Sequence, residues 1–123
     1  MPGALETVGQ YLVESRRLLQ DETAPYRYPD SDMVDALNIA LLEARRLRID
    51  LFLPSFTLEW FDPATGALTT TKAKPVKMDP MYRQSLVYYI AGRMQLRDDE
   101  STTDQRAAAL LTKFAAQMLT IQS

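Results

Sequence analysis

The chain has 123 residues, a hydrophobic fraction of 46%, a charged fraction of 24% and a net charge of −2. That is one domain's length, with enough apolar residue to close a core without staples. Cysteine and histidine are both absent, which removes disulfides, thiolate chemistry, the commonest general base and the commonest metal ligand. A slightly acidic balance supplies no chain-wide basic field for nucleic acid.

Near the N-terminus, Leu5, Val8, Leu12 and Leu19, with Tyr11 and Leu18, recur at helical spacing. Glu6 at the start and Arg16-Arg17 near the end suit the helix dipole, so a first helix is expected over about 4–21. Met1-Pro2-Gly3-Ala4 carries neither a basic nor an apolar leader region, so no signal peptide is expected. Thr23 to Pro29 contains two prolines and two tyrosines and reads as extended, because Pro29 keeps Tyr28 out of the helical region. Asp30 or Ser31 is the expected N-cap of a second helix running to about Arg48, with Asp32 and Asp35 near its start. Its apolar face comprises Met33 or Val34, Leu37, Leu41, Ala44 and Leu47. Asn38 lies close to that face and is expected to bond the 23–29 segment or the third helix.

Beyond the second helix the period changes. Phe56, Leu58 and Trp60 alternate with Thr57, Glu59 and Phe61, a strand pattern. Asp62-Pro63-Ala64-Thr65-Gly66 is a turn signal, and the β-branched Leu68 to Lys72 stretch reads as a return strand. The expectation is a β-hairpin at about 55–73. Asp79-Pro80 then opens a third helix whose face is Tyr82, Leu86, Tyr89, Ile90 and Met94. After a polar break, a fourth helix over about 103–120 carries Ala107, Leu110, Leu111, Phe114, Met118 and Ile121. Its alanines permit close helix approach. The expected fold is therefore mainly α: a single domain over 1–123, bundle-like with four helices and a hairpin inserted between the second and third.

No residue pattern assembles a catalytic, cofactor or metal site. Asp30, Asp32 and Asp35 lack the loop of a calcium site and read better as helix-start acids, and Asp98-Asp99-Glu100 reads as a solvated loop. The four glycines, Gly3, Gly9, Gly66 and Gly92, are scattered, so no phosphate loop is present. The basic clusters are Arg45-Arg46-Arg48, which suits a helix C-terminus, and Lys72-Lys74-Lys77. No apolar run reaches the roughly 20 residues of a membrane span. The hairpin has two readings. Either it folds flat on the bundle, or it is an arm whose Phe56, Trp60 or Phe61 anchors a neighbour, with Phe61 lacking a home in the monomer.

Taken together, several stretches resemble the head-tail connector (adaptor) proteins of tailed bacteriophages. They are Arg17-Leu18-Leu19-Gln20-Asp21-Glu22; Tyr26-Arg27-Tyr28-Pro29 leading into Ser31-Asp32-Met33-Val34 and Ala36-Leu37-Asn38; Glu43-Ala44-Arg45-Arg46; and Tyr82 through Arg93, followed by an acidic break and a helix bearing Phe114. The order and spacing of the stretches carry the likeness, which covers most of the chain except the hairpin. The resemblance implies a structural virion protein, not an enzyme, without cofactors. It implies a homo-oligomeric ring, dodecameric like the portal, docked beneath the portal protein after DNA packaging. Such a ring extends the DNA channel and offers a platform for a tail or nozzle protein. It would lie at the head-tail interface of the virion, after assembly in the host cytoplasm. Ring contacts are expected between Asp98, Asp99 and Glu100 of one copy and Arg45, Arg46 or Arg93 of the next. Lys72, Lys74 and Lys77 are expected to lie near the passing genome without binding it specifically.

Connectors grip the portal with a C-terminal arm, whereas here only Ile121-Gln122-Ser123 follows the last helix, so the hairpin or the N-terminus is expected to dock instead. On that expectation, deleting 57–71 removes attachment and leaves the fold. The alternative reading is a small helical DNA-binding or regulatory protein, whose recognition helix would have to be the third, with Arg83, Gln84 and Arg93.

Overall fold

The structure is a computed structural model that describes residues 5–21, 23, 26, 28–52, 60–76, 78, 82–96 and 101–119. Among the described residues five α-helices follow in order: α1 (Val8–Leu19), α2 (Asp30–Leu47), α3 (Leu68–Lys72), α4 (Arg83–Leu96) and α5 (Ser101–Met118). Two 3₁₀ turns, Ile49–Phe52 and Thr65–Ala67, complete them.

The four long helices sit where the apolar periods place them. α1 starts on a capping box: the Thr7 hydroxyl accepts from the Gln10 N–H, and the Gln10 side chain returns to the Thr7 N–H. It ends at Gln20 in the left-handed region (φ 58°), with the Asp21 N–H closing back on the Arg16 carbonyl. α2 is capped by Pro29 without a side-chain hydrogen bond. Asp30 and Ser31 are therefore the first two helical residues and neither is the cap expected of them; the Asp30 carboxylate is engaged instead by Arg16 and Lys72.

α4 is the central helix. Ser85, Leu86, Val87, Tyr89, Ile90, Ala91 and Met94 are all buried, so its burial runs almost around the circumference. It packs most extensively on α5, where Tyr89 meets Phe114 edge to face at 4.8 Å between ring centroids. Gly92 makes that approach possible: a Cβ there would stand 2.9 Å from Leu111 Cγ and 3.3 Å from the Ala107 carbonyl oxygen. α1 and α2 cover the other sides of α4. The core joins Val8, Tyr11 and Leu12 of α1 to Met33, Leu37 and Leu41 of α2, Leu86 and Ile90 of α4, and Phe114 and Met118 of α5. Arg48 ties the α2 exit to one end of the α4–α5 pair, donating to the Tyr82 hydroxyl at 3.2 Å and the Met118 carbonyl at 2.9 Å.

The insert departs from the hairpin expected of it. Residues 53–59, including Phe56, lie outside the described residues. Leu68 to Lys72, expected as the return strand, is helical instead. The turn signal before it is correct: Asp62 Oδ1 accepts from the Ala64 N–H at 2.9 Å, and Ala67 N–H donates to the Ala64 carbonyl. Rather than send the chain back as a strand, that turn winds on into helix. Thr71 is buried, and its hydroxyl donates to the Asp62 carbonyl at 2.8 Å. Tertiary contact thus overrides the β preference of the threonines. The chain then runs beside the start of α1, with Val8 N–H to the Lys74 carbonyl and Val76 N–H to the Glu6 carbonyl. A Cβ on Gly9 would lie 3.2 Å from the Lys72 carbonyl oxygen, so the two segments touch backbone to backbone.

Candidate functional site

One side chain, Arg16, joins the described residues between α1 and α2. Arg16 falls on the apolar stripe of α1, four residues after Leu12, and is buried. Its guanidinium donates to Asp21 Oδ2 at 2.7 Å, to the Tyr28 carbonyl at 2.9 Å and to Asp30 Oδ1. The Tyr26 ring lies across it, 3.8 Å from centroid to guanidinium carbon. Asp21 Oδ2 also accepts the Tyr28 N–H at 3.2 Å. Lys72 of α3 reaches the second oxygen of Asp30 at 2.6 Å. One planar fork thereby joins Asp21, just past α1, to Tyr28 and to Asp30 at the start of α2, and Lys72 attaches α3 to the same point. Burial alone would push the Asp30 carboxyl up; the hydrogen bonds from Lys72 and Arg16 overcome it and hold the group below the usual carboxylate range.

The clasp leaves Tyr26 half exposed at the rim of a groove of about 340 Å³ lined by Thr7, Gly9, Leu12, Val13 and Lys72. A second groove, of about 430 Å³, runs between α2 and α4 and is lined by Asp32, Asp35, Ile39, Arg93, Met94 and Leu96. Among the described residues no cluster of three or more acidic side chains is placed to hold a metal ion. No described helix is long and apolar enough to cross a membrane.

Phe61 is not the unplaced aromatic that a strand would have made it. It is 1% exposed and part of the core. Asn38 places it there: its amide donates to the Phe61 carbonyl at 2.8 Å and accepts the Phe61 N–H at 2.9 Å. The expected partners of Asn38 were the 23–29 segment or the third helix; the insert takes it instead, because Phe61 brings a backbone donor and acceptor into a buried site that must satisfy both. Trp60, one residue earlier, is 54% exposed. Deleting 57–71 would therefore remove Phe61 and Thr71 from the interior and could not leave the fold intact.

The other expected site residues are spread out. Arg46 is exposed and held by Glu43 of the same helix at 2.8 Å, and Arg45 is half-buried. Arg93 faces the groove that carries Asp32 and Asp35. Asp98, Asp99, Glu100 and Lys77 lie outside the described residues. Of the three lysines, Lys72 is engaged by Asp30, and Lys74 is half-buried beside the start of α1. Arg83 of the would-be recognition helix donates to the Met78 carbonyl at 2.9 Å, and the helix itself is the core of the domain. Sequence alone gives Arg16 a helix-dipole role and does not bring it to Asp21, Tyr28 and Asp30. The available signal was an arginine in register with Leu5, Val8 and Leu12, where an apolar residue belongs. Comparison with protein-family models, with curated proteins and with solved structures finds no match to this chain.

Proposed function

We propose that the protein is a structural assembly part: a head-to-tail adaptor of a tailed bacteriophage, acting as a ring beneath the portal. The observation that carries the reading is the Arg16 clasp. It fixes Asp21, Tyr28 and Asp30, which belong to the stretches that carry the resemblance or border them, and it packs against the Tyr26 ring, which stays half exposed. Burying a guanidinium and a carboxylate costs desolvation free energy, and an apolar pair of the same size would often serve stability as well. A ring part gains from the expense, because every copy must present the same contact geometry for the ring to close. Tyr26, Val13 and the groove between them supply an aromatic-apolar contact of the kind enriched at interface centres. Trp60 offers a second anchor on the insert, and this is the surface suited to the portal or tail side.

Light scattering of the protein alone and mixed with its portal tests the reading. Uptake onto the portal as a ring is expected, with Tyr26→Ser and Trp60→Ser weakening it while circular dichroism stays unchanged. A species that ignores the portal would refute the proposal.

A further inference from the structure

α2 buries one side in the core and turns the other outward, and the outward side has a pattern of its own. Asp35, Ile39, Leu42 and Arg46 follow one another at spacings of four, three and four, the seam spacing of paired helices. Asp35 and Arg46 are exposed, Leu42 is 42% exposed and Ile39 is half-buried. The stripe is acidic at its N-terminal end, apolar in the middle and basic at its C-terminal end.

Such a stripe is complementary to itself when reversed. In an antiparallel pair with the two-fold axis midway between Ile39 and Leu42, Ile39 of each copy faces Leu42 of the other. In that same register Asp35 of each faces Arg46 of the other, so both apolar and both charged contacts are made twice. The surroundings agree in sign. The acidic end carries Asp32 and Asp35 on a groove shared with Arg93, and the basic end carries Arg45 beside Arg46, which is paired with Glu43. Leu96, 48% exposed, borders the acidic end, and Ile49, 50% exposed, follows the basic end, which extends the apolar contact at both extremities. A parallel pair would set like charges together, and an antiparallel contact slipped by one turn would set Asp35 against Leu42 or Arg46 against Ile39, burying a charge against an apolar side chain.

The geometry points to α2 as a self-association surface through which two copies of the free protein pair antiparallel about a two-fold axis. The inference goes beyond the adaptor reading and does not depend on it. Sedimentation velocity over a concentration series, on the full chain without portal, tests it with a charge swap. The wild type shows a monomer–dimer equilibrium. Asp35→Arg and Arg46→Asp each weaken self-association about tenfold, since each sets like charges together twice. Mixing the two single variants restores pairing as a heterodimer, and D35R/R46D restores it within one chain. Leu42→Asp abolishes it in either background.

A wild type that stays monomeric throughout overturns the inference, as does a dimer or ring indifferent to both charge reversals, or single variants whose mixture fails to pair. Portal uptake by a chain that fails these tests leaves the adaptor reading standing. A charge-sensitive dimer that ignores the portal does the reverse.

Discussion

Replacing Arg16 by Met probes the clasp. The side chains of Arg16 and Asp21 are only 7% and 8% exposed, so the substitution removes a charged hydrogen-bond donor from a buried carboxylate. Removing one partner of a buried ion pair costs roughly 3–5 kcal/mol. The Tyr28 carbonyl loses its donor as well, worth about 1 kcal/mol. Asp30 suffers least, because it is 21% exposed and keeps Lys72. The net expectation is a loss of about 4 kcal/mol, a large part of the ~5–15 kcal/mol of a typical domain. Urea denaturation followed by circular dichroism reads the loss directly, and the melting temperature should fall by roughly 15 °C. Adding Asp21→Asn to Arg16→Met should recover at least about 1 kcal/mol, since the stranded charge is gone. A loss below about 1 kcal/mol for Arg16→Met would refute the reasoning, because it would mean that the guanidinium and Asp21 contribute as a solvated surface pair does.

Three further outcomes are expected. Asn38→Leu leaves the buried N–H and C=O of Phe61 without the partners they now have at 2.9 and 2.8 Å, and should cost about 3 kcal/mol by urea denaturation despite the better apolar match. Tyr11→Phe should leave stability unchanged or raise it by up to about 1 kcal/mol, because the Tyr11 hydroxyl is buried without a partner among the described residues and burial already pushes its phenol well above the ordinary range. Asp30 is held below the usual carboxylate range in the fold, so its contribution is complete above the unfolded value of about 3.9 and is lost as pH falls through the folded value. An acid titration of stability should therefore lose part of its low-pH slope in Asp30→Asn, with stability at pH 7 reduced as well; an unchanged slope would refute the assignment.

The four long helices were legible because each has a 3.6-residue apolar period over several turns, and tertiary packing reinforces what the period states. Met33, Leu37, Leu41, Leu86, Ile90, Phe114 and Met118, named from that period, are all buried. The insert was misread where propensity and packing conflict. Leu68-Thr69-Thr70-Thr71-Lys72 favours a strand locally, but burial of Thr71 and its bond to the Asp62 carbonyl hold it helical, and both depend on a fold that no five-residue window contains. Phe61 looked stranded only on the assumption of strand alternation; with its backbone on Asn38 it turns inward. The clasp was half visible. Tyr28 and Asp30 have local roles that the sequence shows, but Arg16 lies twelve and fourteen residues away from them. Proximity over such distances is a property of the assembled helices, and the dipole explanation of Arg16 was sufficient in sequence terms.

The most direct measurement of the central claim is the stoichiometry of the portal complex by native mass spectrometry. A ring adaptor predicts one copy of this chain per portal subunit, bound as a complete set with few partly filled rings, and the set should thin out in Tyr26→Ser. Portal rings that carry no copies, or a scatter of one or two unaffected by that substitution, would contradict it.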